Sequence, residues 1–208
     1  MKNQRGFNLI ELMVTIAVLG VLLGVGIPGV QGYIHNNRLI SQINSLSTSL
    51  LHARSEAIKR NEQVVVCVST DGEQCATGGG GTLWSNGWIV FVDRNNDEDV
   101  DVGIPGTDDC ADVSTTDCIV SVQAAFDGTN TLTPAASVAD LISYGGSGAA
   151  GCETDTSNDK PETCPNSTTY FTLCDFRGAA YAKALAVSST GRTSTITKQP
   201  NGSSLTCP

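Results

Sequence analysis

Histidine and aromatic side chains are scarce in this 208-residue chain: it holds two histidines, His35 and His52, and only 5% Phe, Trp and Tyr. Neither histidine lies near any of the eight cysteines, and no two cysteines stand as C-x-x-C. The paired ligands of a zinc site are therefore missing. The nucleophile elbow G-x-S-x-G is absent too, because Gly145-Gly146-Ser147-Gly148 is followed by Ala149, and the Gly78 to Gly81 run lacks the Lys-Ser/Thr of a phosphate loop. No catalytic residue, cofactor or metal is expected. Charge is sparse at 16%, yet 40% apolar content excludes a wholly disordered chain. The 22 glycines and the Ser/Thr/Asn/Asp-rich stretches predict many turns, with strands outnumbering helices beyond the N-terminus.

Cysteine is plentiful instead, at 67, 75, 110, 118, 152, 164, 174 and 207. An even count without metal-ligand spacing reads as four disulfides and an oxidising compartment, periplasm or cell exterior. The expected pairing is sequential, Cys67 with Cys75, Cys110 with Cys118, Cys152 with Cys164 and Cys174 with Cys207, one among the many that eight cysteines allow.

Acidic residues are unevenly placed on a chain of net charge −9: Asp93, Asp97, Glu98, Asp99, Asp101, Asp108, Asp109, Asp112 and Asp117 face one base, Arg94. Such a stretch repels nucleic acid. Oxygen side chains at Asp93, Asn95, Asp97 and Asp99 alternate as a calcium ion prefers, but Glu98 stands where an EF-hand loop needs glycine and Ile104 where it needs glutamate. A solvated turn fits these residues better. Beyond Pro165 the sign reverses, with Arg177, Lys183, Arg192 and Lys198 against Asp175.

The N-terminus decides the class. A short basic leader precedes the 28 residues from Phe7 to Ile34, in which Glu11 is the sole ionised side chain. As helix that length spans roughly 42 Å, enough to cross a hydrocarbon layer of about 30 Å. An ordinary secretory signal fits poorly, since no A-x-A-like site follows and the run passes directly into a further helical pattern. Lys2 and Arg5 orient the leader towards the cytoplasm. A carboxylate near the start of a membrane helix is costly and normally has a partner.

The stretch R-G-F-N-L-I-E-L resembles the leader of type IV pilins and type II secretion pseudopilins. The resemblance implies cleavage between Gly6 and Phe7 by the prepilin peptidase, N-methylation of Phe7, and pairing of Glu11 with the N-terminal amine of a neighbouring subunit. Gly20, Gly24, Gly26, Pro28 and Gly29 interrupt the helix, and a kinked or locally melted segment is expected near Gly24 to Gly29, with Pro28 serving assembly.

Past Tyr33, Leu39, Ile40, Ile43, Leu46, Leu50, Ala53, Ala57 and Ile58 form one apolar helical stripe, with Asn61 as its C-cap. Val64 to Val68 and Trp84 to Val92 read as strands. Shorter strands are expected at Cys118 to Val122, Ser137 to Ile142, Thr168 to Leu173, Lys183 to Ser188 and Thr193 to Thr197, with loops at Gly78 to Gly81 and Gly145 to Gly151.

HARSEAIKRN, then GWIVFVD, then CDFRGAAYAKALAVSSTGR resemble the GspH/FimT/FimU branch of minor pilins. The implied fold is α+β, a long N-terminal helix packed on an antiparallel β-rich head. The implied organisation is a leader at 1–6, a transmembrane and assembly helix at 7–34, an amphipathic helix at 35–61, and a head at 62–208 with an enlarged loop region at 93–165. The implied role is a minor pilin priming assembly at or near a type IV pilus tip, or else a type II secretion pseudopilin. Implied partners are major and minor pilins, the prepilin peptidase and the inner-membrane assembly platform. The implied location is the bacterial inner membrane, as a single-pass protein with a periplasmic head, and then the extracellular pilus. Some members capture DNA through Gly-Arg-x-Arg; here Gly191-Arg192-Thr193-Ser194 lacks the second arginine. Phosphate contacts would fall to Arg177, Lys183, Arg192 and Lys198, and a chain of net charge −9 makes nucleic acid a poor partner.

Overall fold

The computed structural model describes residues 6–76, 83–100, 110, 117–135, 141–152, 162–164 and 169–208. They form two units, Met1–Arg38 and Leu39–Pro208. One helix, α1 (Leu9–Arg60), supplies nearly all of the first unit and the opening segment of the second.

The backbone of α1 stays helical through Pro28, so of the kinked or locally melted segment expected near Gly24 to Gly29 the melted alternative is not seen. Proline deletes its own N–H donor, and its ring disturbs only the turn before it, so the bonds on either side keep the helix running. Side chains of 25–29 lie outside the described set.

Within the second unit, Leu39, Ile43, Leu46, Leu50, Ala53 and Ala57 alternate three- and four-residue steps, and all six are buried. That spacing lays them along one face of the helix. Ile40 and Ile58, expected in the same stripe, stand about half exposed beside it. Asn61 takes a left-handed φ of 56° and ends the helix, a conformation asparagine tolerates better than most residues.

Among the described residues ten strands follow: β1 (Gln63–Val68), β2 (Gly87–Asp93), β3 (Cys118–Ala124), β4 (Thr131–Pro134), β5 (Leu141–Tyr144), β6 (Ala150–Cys152), β7 (Glu162–Thr163), β8 (Tyr170–Cys174), β9 (Lys183–Val187) and β10 (Thr193–Ile196). They build a six-stranded sheet in the order β3-β2-β1-β5-β6-β7 and a four-stranded sheet in the order β10-β9-β8-β4. Every pairing among the described strands is antiparallel. The long strand expected from Trp84 divides: Leu83–Asn86 is a 3-10 turn, and β2 begins at Gly87. Gly87 has φ +114°, and a Cβ there would sit 2.5 Å from the Gln123 carbonyl oxygen, so the chain can turn into the strand only without a side chain. The Gly145 to Gly151 loop is shorter than expected, since Ala150 and Gly151 join β6. The Gly78 to Gly81 loop lies outside the described residues, as do 137–140 and Thr168 of two expected strands.

The main core joins the α1 stripe to one face of each sheet, through Val64, Val66, Val68, Val90 and Val92 of the first and Phe171, Leu173, Leu185 and Val187 of the second. Trp84 meets Phe171 edge-on at 4.8 Å between ring centroids. The 3-10 turn thereby bridges the two sheets, and such a pair adds about 0.5–1.5 kcal/mol beyond its buried area. The opposite face of the large sheet is covered as well: Val65, Cys67, Ile89, Phe91 and Leu141 pack with Val100 and Cys75. Burial on both faces explains why β1 and β2 read as continuous rather than alternating apolar runs.

The head has two ends that can be told apart along α1. Arg54 donates from Nε to the Gly148 carbonyl at 2.9 Å, placing the 145–149 loop at the Arg60 end. Asn130 donates to Gln42 Oε1 at 2.6 Å, and its neighbour Thr131 pairs with Cys174. The Cys174 end of the small sheet therefore lies at the Leu39 end of the head.

Candidate functional site

The N-terminal unit presents its apolar side chains outward. Phe7 is 79% exposed, and Leu9, Ile10, Val21, Leu22 and Tyr33 are each exposed by more than half. Glu11 is exposed in the first turn, its backbone N–H bonded to the Asn8 carbonyl at 3.0 Å, where a carboxylate complements the helix dipole. Gly6 lies just ahead with open space around it. Pro28 is helical in its backbone. Among the described residues no helix is long and apolar enough to cross a membrane. An exposed apolar surface of this extent is stable in water only when something covers it.

Four disulfides tie the head: Cys67–Cys75, Cys110–Cys118, Cys152–Cys164 and Cys174–Cys207, with Cα separations of 5.6, 5.5, 4.9 and 5.9 Å. Each of the first three closes a short local loop. The fourth spans 33 residues and fixes the C-terminal tail, where Leu205 packs with Cys174, Ala182 and Ala184.

The acidic loop after β2 gathers a different set from the alternating one. Carboxylate oxygens of Asp93, Asp97 and Asp117 lie within 4.8 Å of one another, and Asp93 and Asp117 are buried. Asn95 instead donates to Asp97 Oδ2 at 2.7 Å, and the Asp99 side chain accepts the Val100 N–H at 2.8 Å. The Asp93 carboxylate accepts N–H groups of Asn96 at 2.7 Å and Glu98 at 3.1 Å. Asp117 accepts the Arg94 N–H at 2.9 Å. These bonds shape a turn with left-handed φ at Asn96 and Glu98. Burial raises the Asp93 carboxyl above its ordinary range, the N–H bonds pull it back, and Asp117 and Asp97 raise it further. Sequence spacing missed Asp117 because it arrives from 24 residues downstream, carried in where Val92 pairs with Cys118.

The four basic candidates do not form one patch. Arg192 is exposed beyond the 188–191 turn, and a Cβ on Gly191 would meet Gly148 and Arg54, so this turn belongs to the Arg60 end. Lys183 opens β9 opposite Leu173, and Lys198 follows Ile196, which pairs with Ala184, so both belong to the Leu39 end. Arg177 is held by Asp175 at 2.6 Å and lies over the Tyr181 ring at 4.2 Å.

Comparison with known proteins fits this architecture. Residues 42–191 match the family described as type II transport protein GspH, and residues 1–27 match the prokaryotic N-terminal methylation motif. The chain is 35% identical over 103 residues to a pilin-like protein PilA1 of Thermus thermophilus, across 49% of this chain and 56% of that protein. It is 37% identical over 68 residues to a fimbrial protein of Pseudomonas aeruginosa, across 31% of this chain and 42% of that one. The chain thus spans about half the length of the curated relatives it matches. Its fold resembles the crystal structure of the type IV minor pilin FimU of Pseudomonas aeruginosa, with a TM-score of 0.50 at 16% identity, across 85% of this chain and 99% of that one.

Proposed function

Because the chain belongs to the GspH family of type II transport proteins and carries a prokaryotic N-terminal methylation motif, we propose that it is a minor pilin of a type IV pilus. Its class is type IV pilin-like, and its work is structural rather than enzymatic. In this reading the prepilin peptidase cuts after Gly6 and methylates Phe7. The Phe7 to Ile34 segment anchors the subunit in the inner membrane, and the assembly platform passes it into a filament. There the exposed apolar side chains are covered by the helices of neighbouring major and minor pilins, Glu11 and Pro28 serve assembly, and the head primes growth at or near the tip.

The observation that carries the reading is the division of labour along α1: an outward apolar surface behind R-G-F-N-L-I-E-L, then a stripe buried in a disulfide-tied head. The test is expression of Gly6→Ala and Glu11→Ala. The first should retain the leader, and the second should be cut yet stay in the membrane; normal pilus incorporation of both sinks the proposal.

The family's description favours a second reading, a type II secretion pseudopilin. Deleting the gene and assaying both pilus number and protein secretion separates the two. DNA capture has less support, since Arg192 stands apart from Lys183 and Lys198. Loss of double-stranded DNA binding on Arg192→Ala at low salt is the result that would favour it.

A further inference from the structure

Beyond α1, only three large apolar side chains among the described residues are left exposed: Val122, Phe176 and Tyr181. Two of them share one short loop, 175–182, which joins β8 to β9. Phe176 is 69% exposed and Tyr181 48%, and the 3-10 turn Ala179–Tyr181 buries no residue. Between them Arg177 stacks on the Tyr181 ring and bonds the buried Asp175 carboxylate, so the cation is held in place beside both aromatics. Lys183 follows at once, and Lys198 lies at the same end. A solvated loop has no need of this set; aromatic rings with fixed cations are the composition of a bilayer interface.

Position supports the same partner. The loop extends β8 past Cys174, at the level of α1 marked by the Asn130–Gln42 bond. In sequence, Gln42 follows Ile34, where the apolar run ends, by eight positions. Charge at this end is divided between the sheets. Exposed Asp71 and Glu73 lie on the loop after β1 of the large sheet and Asp127 on the β3–β4 loop that joins the sheets, whereas Lys183 and Lys198 belong to the small one, where Arg177 is paired with Asp175. An anionic surface attracts one side of this end and repels the other.

We propose that the 175–182 loop is a lipid-headgroup contact that seats the small-sheet side of the head on an anionic bilayer before the subunit enters a filament. The contact rests on the membrane-anchor reading above. Phe176 and Tyr181 enter the headgroup layer, and Lys183 and Lys198 meet lipid phosphates.

The experiment reconstitutes the full-length chain into phosphatidylcholine vesicles with or without phosphatidylglycerol, carrying Phe176→Trp as probe. The native Trp84 and Trp88 are fully buried and give a constant background. Thr190→Trp, exposed at the opposite end, is the control. Flotation reports anchoring, and quenching by lipids brominated near the headgroup reports loop contact. The expected result is flotation of both variants, several-fold stronger quenching of Phe176→Trp than of Thr190→Trp, and a gain with phosphatidylglycerol that Lys183→Ala with Lys198→Ala removes. Flotation with equal quenching of the two probes overturns the loop contact alone and leaves the surface to a neighbouring subunit. Failure to float overturns the anchor and the contact with it.

Discussion

The side-chain amide of Asn130 donates to Gln42 Oε1 at 2.6 Å, joining the chain just before β4 to α1 across 88 residues of sequence. Asn130 is buried, while Gln42 retains some solvent access. Removing the donor lets water reach the glutamine, so Asn130→Ala is expected to cost only about 0.5–1.5 kcal/mol. Urea unfolding with an unchanged m-value and a lower midpoint is the expected record.

A larger effect is expected where α1 meets the two loops at its far end. Gly191 has φ +74°, and a Cβ there would collide with the Gly148 carbonyl and lie 2.9 Å from Arg54 Nε. Gly191→Ala therefore strains the turn and disturbs the Arg54–Gly148 bond, for a loss of about 1–3 kcal/mol. Gly178→Ala, also left-handed but with open space around it, should cost less, and parallel thermal melts rank the two.

Tyr144 shows the opposite case. Its hydroxyl is buried without a hydrogen-bond partner among the described residues, and burial pushes its ionisation well above the usual tyrosine range, with Arg54 pulling the other way. Deleting a polar atom that has no bond removes a desolvation cost. Tyr144→Phe should leave stability unchanged or raise it by about 1 kcal/mol, whereas Tyr144→Ala should lower it by about 3–5 kcal/mol. A marked loss in the Phe variant would contradict this.

Much of this architecture was legible in the sequence, for reasons that differ by element. The α1 stripe could be read because Leu39, Ile43, Leu46 and Leu50 repeat at helical spacing and face a single core. Trp84 misled as a strand residue because a buried aromatic belongs equally to a 3-10 turn, and only the close approach of Gly87 to Gln123 marks where the strand begins. β4, β6 and β7 have two to four residues each, too short to show alternation, and exist through pairing with β8, β5 and β6 respectively. Asp117 was hidden for the same reason, since its place beside Asp93 is a product of the β2–β3 register. The separation of Arg192 from Lys183 is likewise a matter of strand direction, not of spacing.

The raised Asp93 carboxyl implies a pH dependence of the head's stability with a definite sign. Its folded pKa is raised above the ordinary 3.8, so the native state holds the proton more tightly than the unfolded chain does. The contribution of this group is full below 3.8 and is lost as pH rises through the raised value. Asp93→Asn has no such titration. The stability of the parent relative to the variant should therefore fall between acid and neutral pH by about 1.4 kcal/mol for each unit of the rise, read from paired denaturant curves. A parent that gains on the variant over that window would reverse the assignment.

The fate of the N-terminus decides whether the chain is a processed pilus subunit. Filaments sheared from cells that express the chain should contain it, and mass spectrometry of that fraction should find a mature terminus at Phe7 carrying one N-methyl group. A filament fraction that lacks the chain, or holds it with residues 1–6 still attached, contradicts the assignment as a processed pilus subunit.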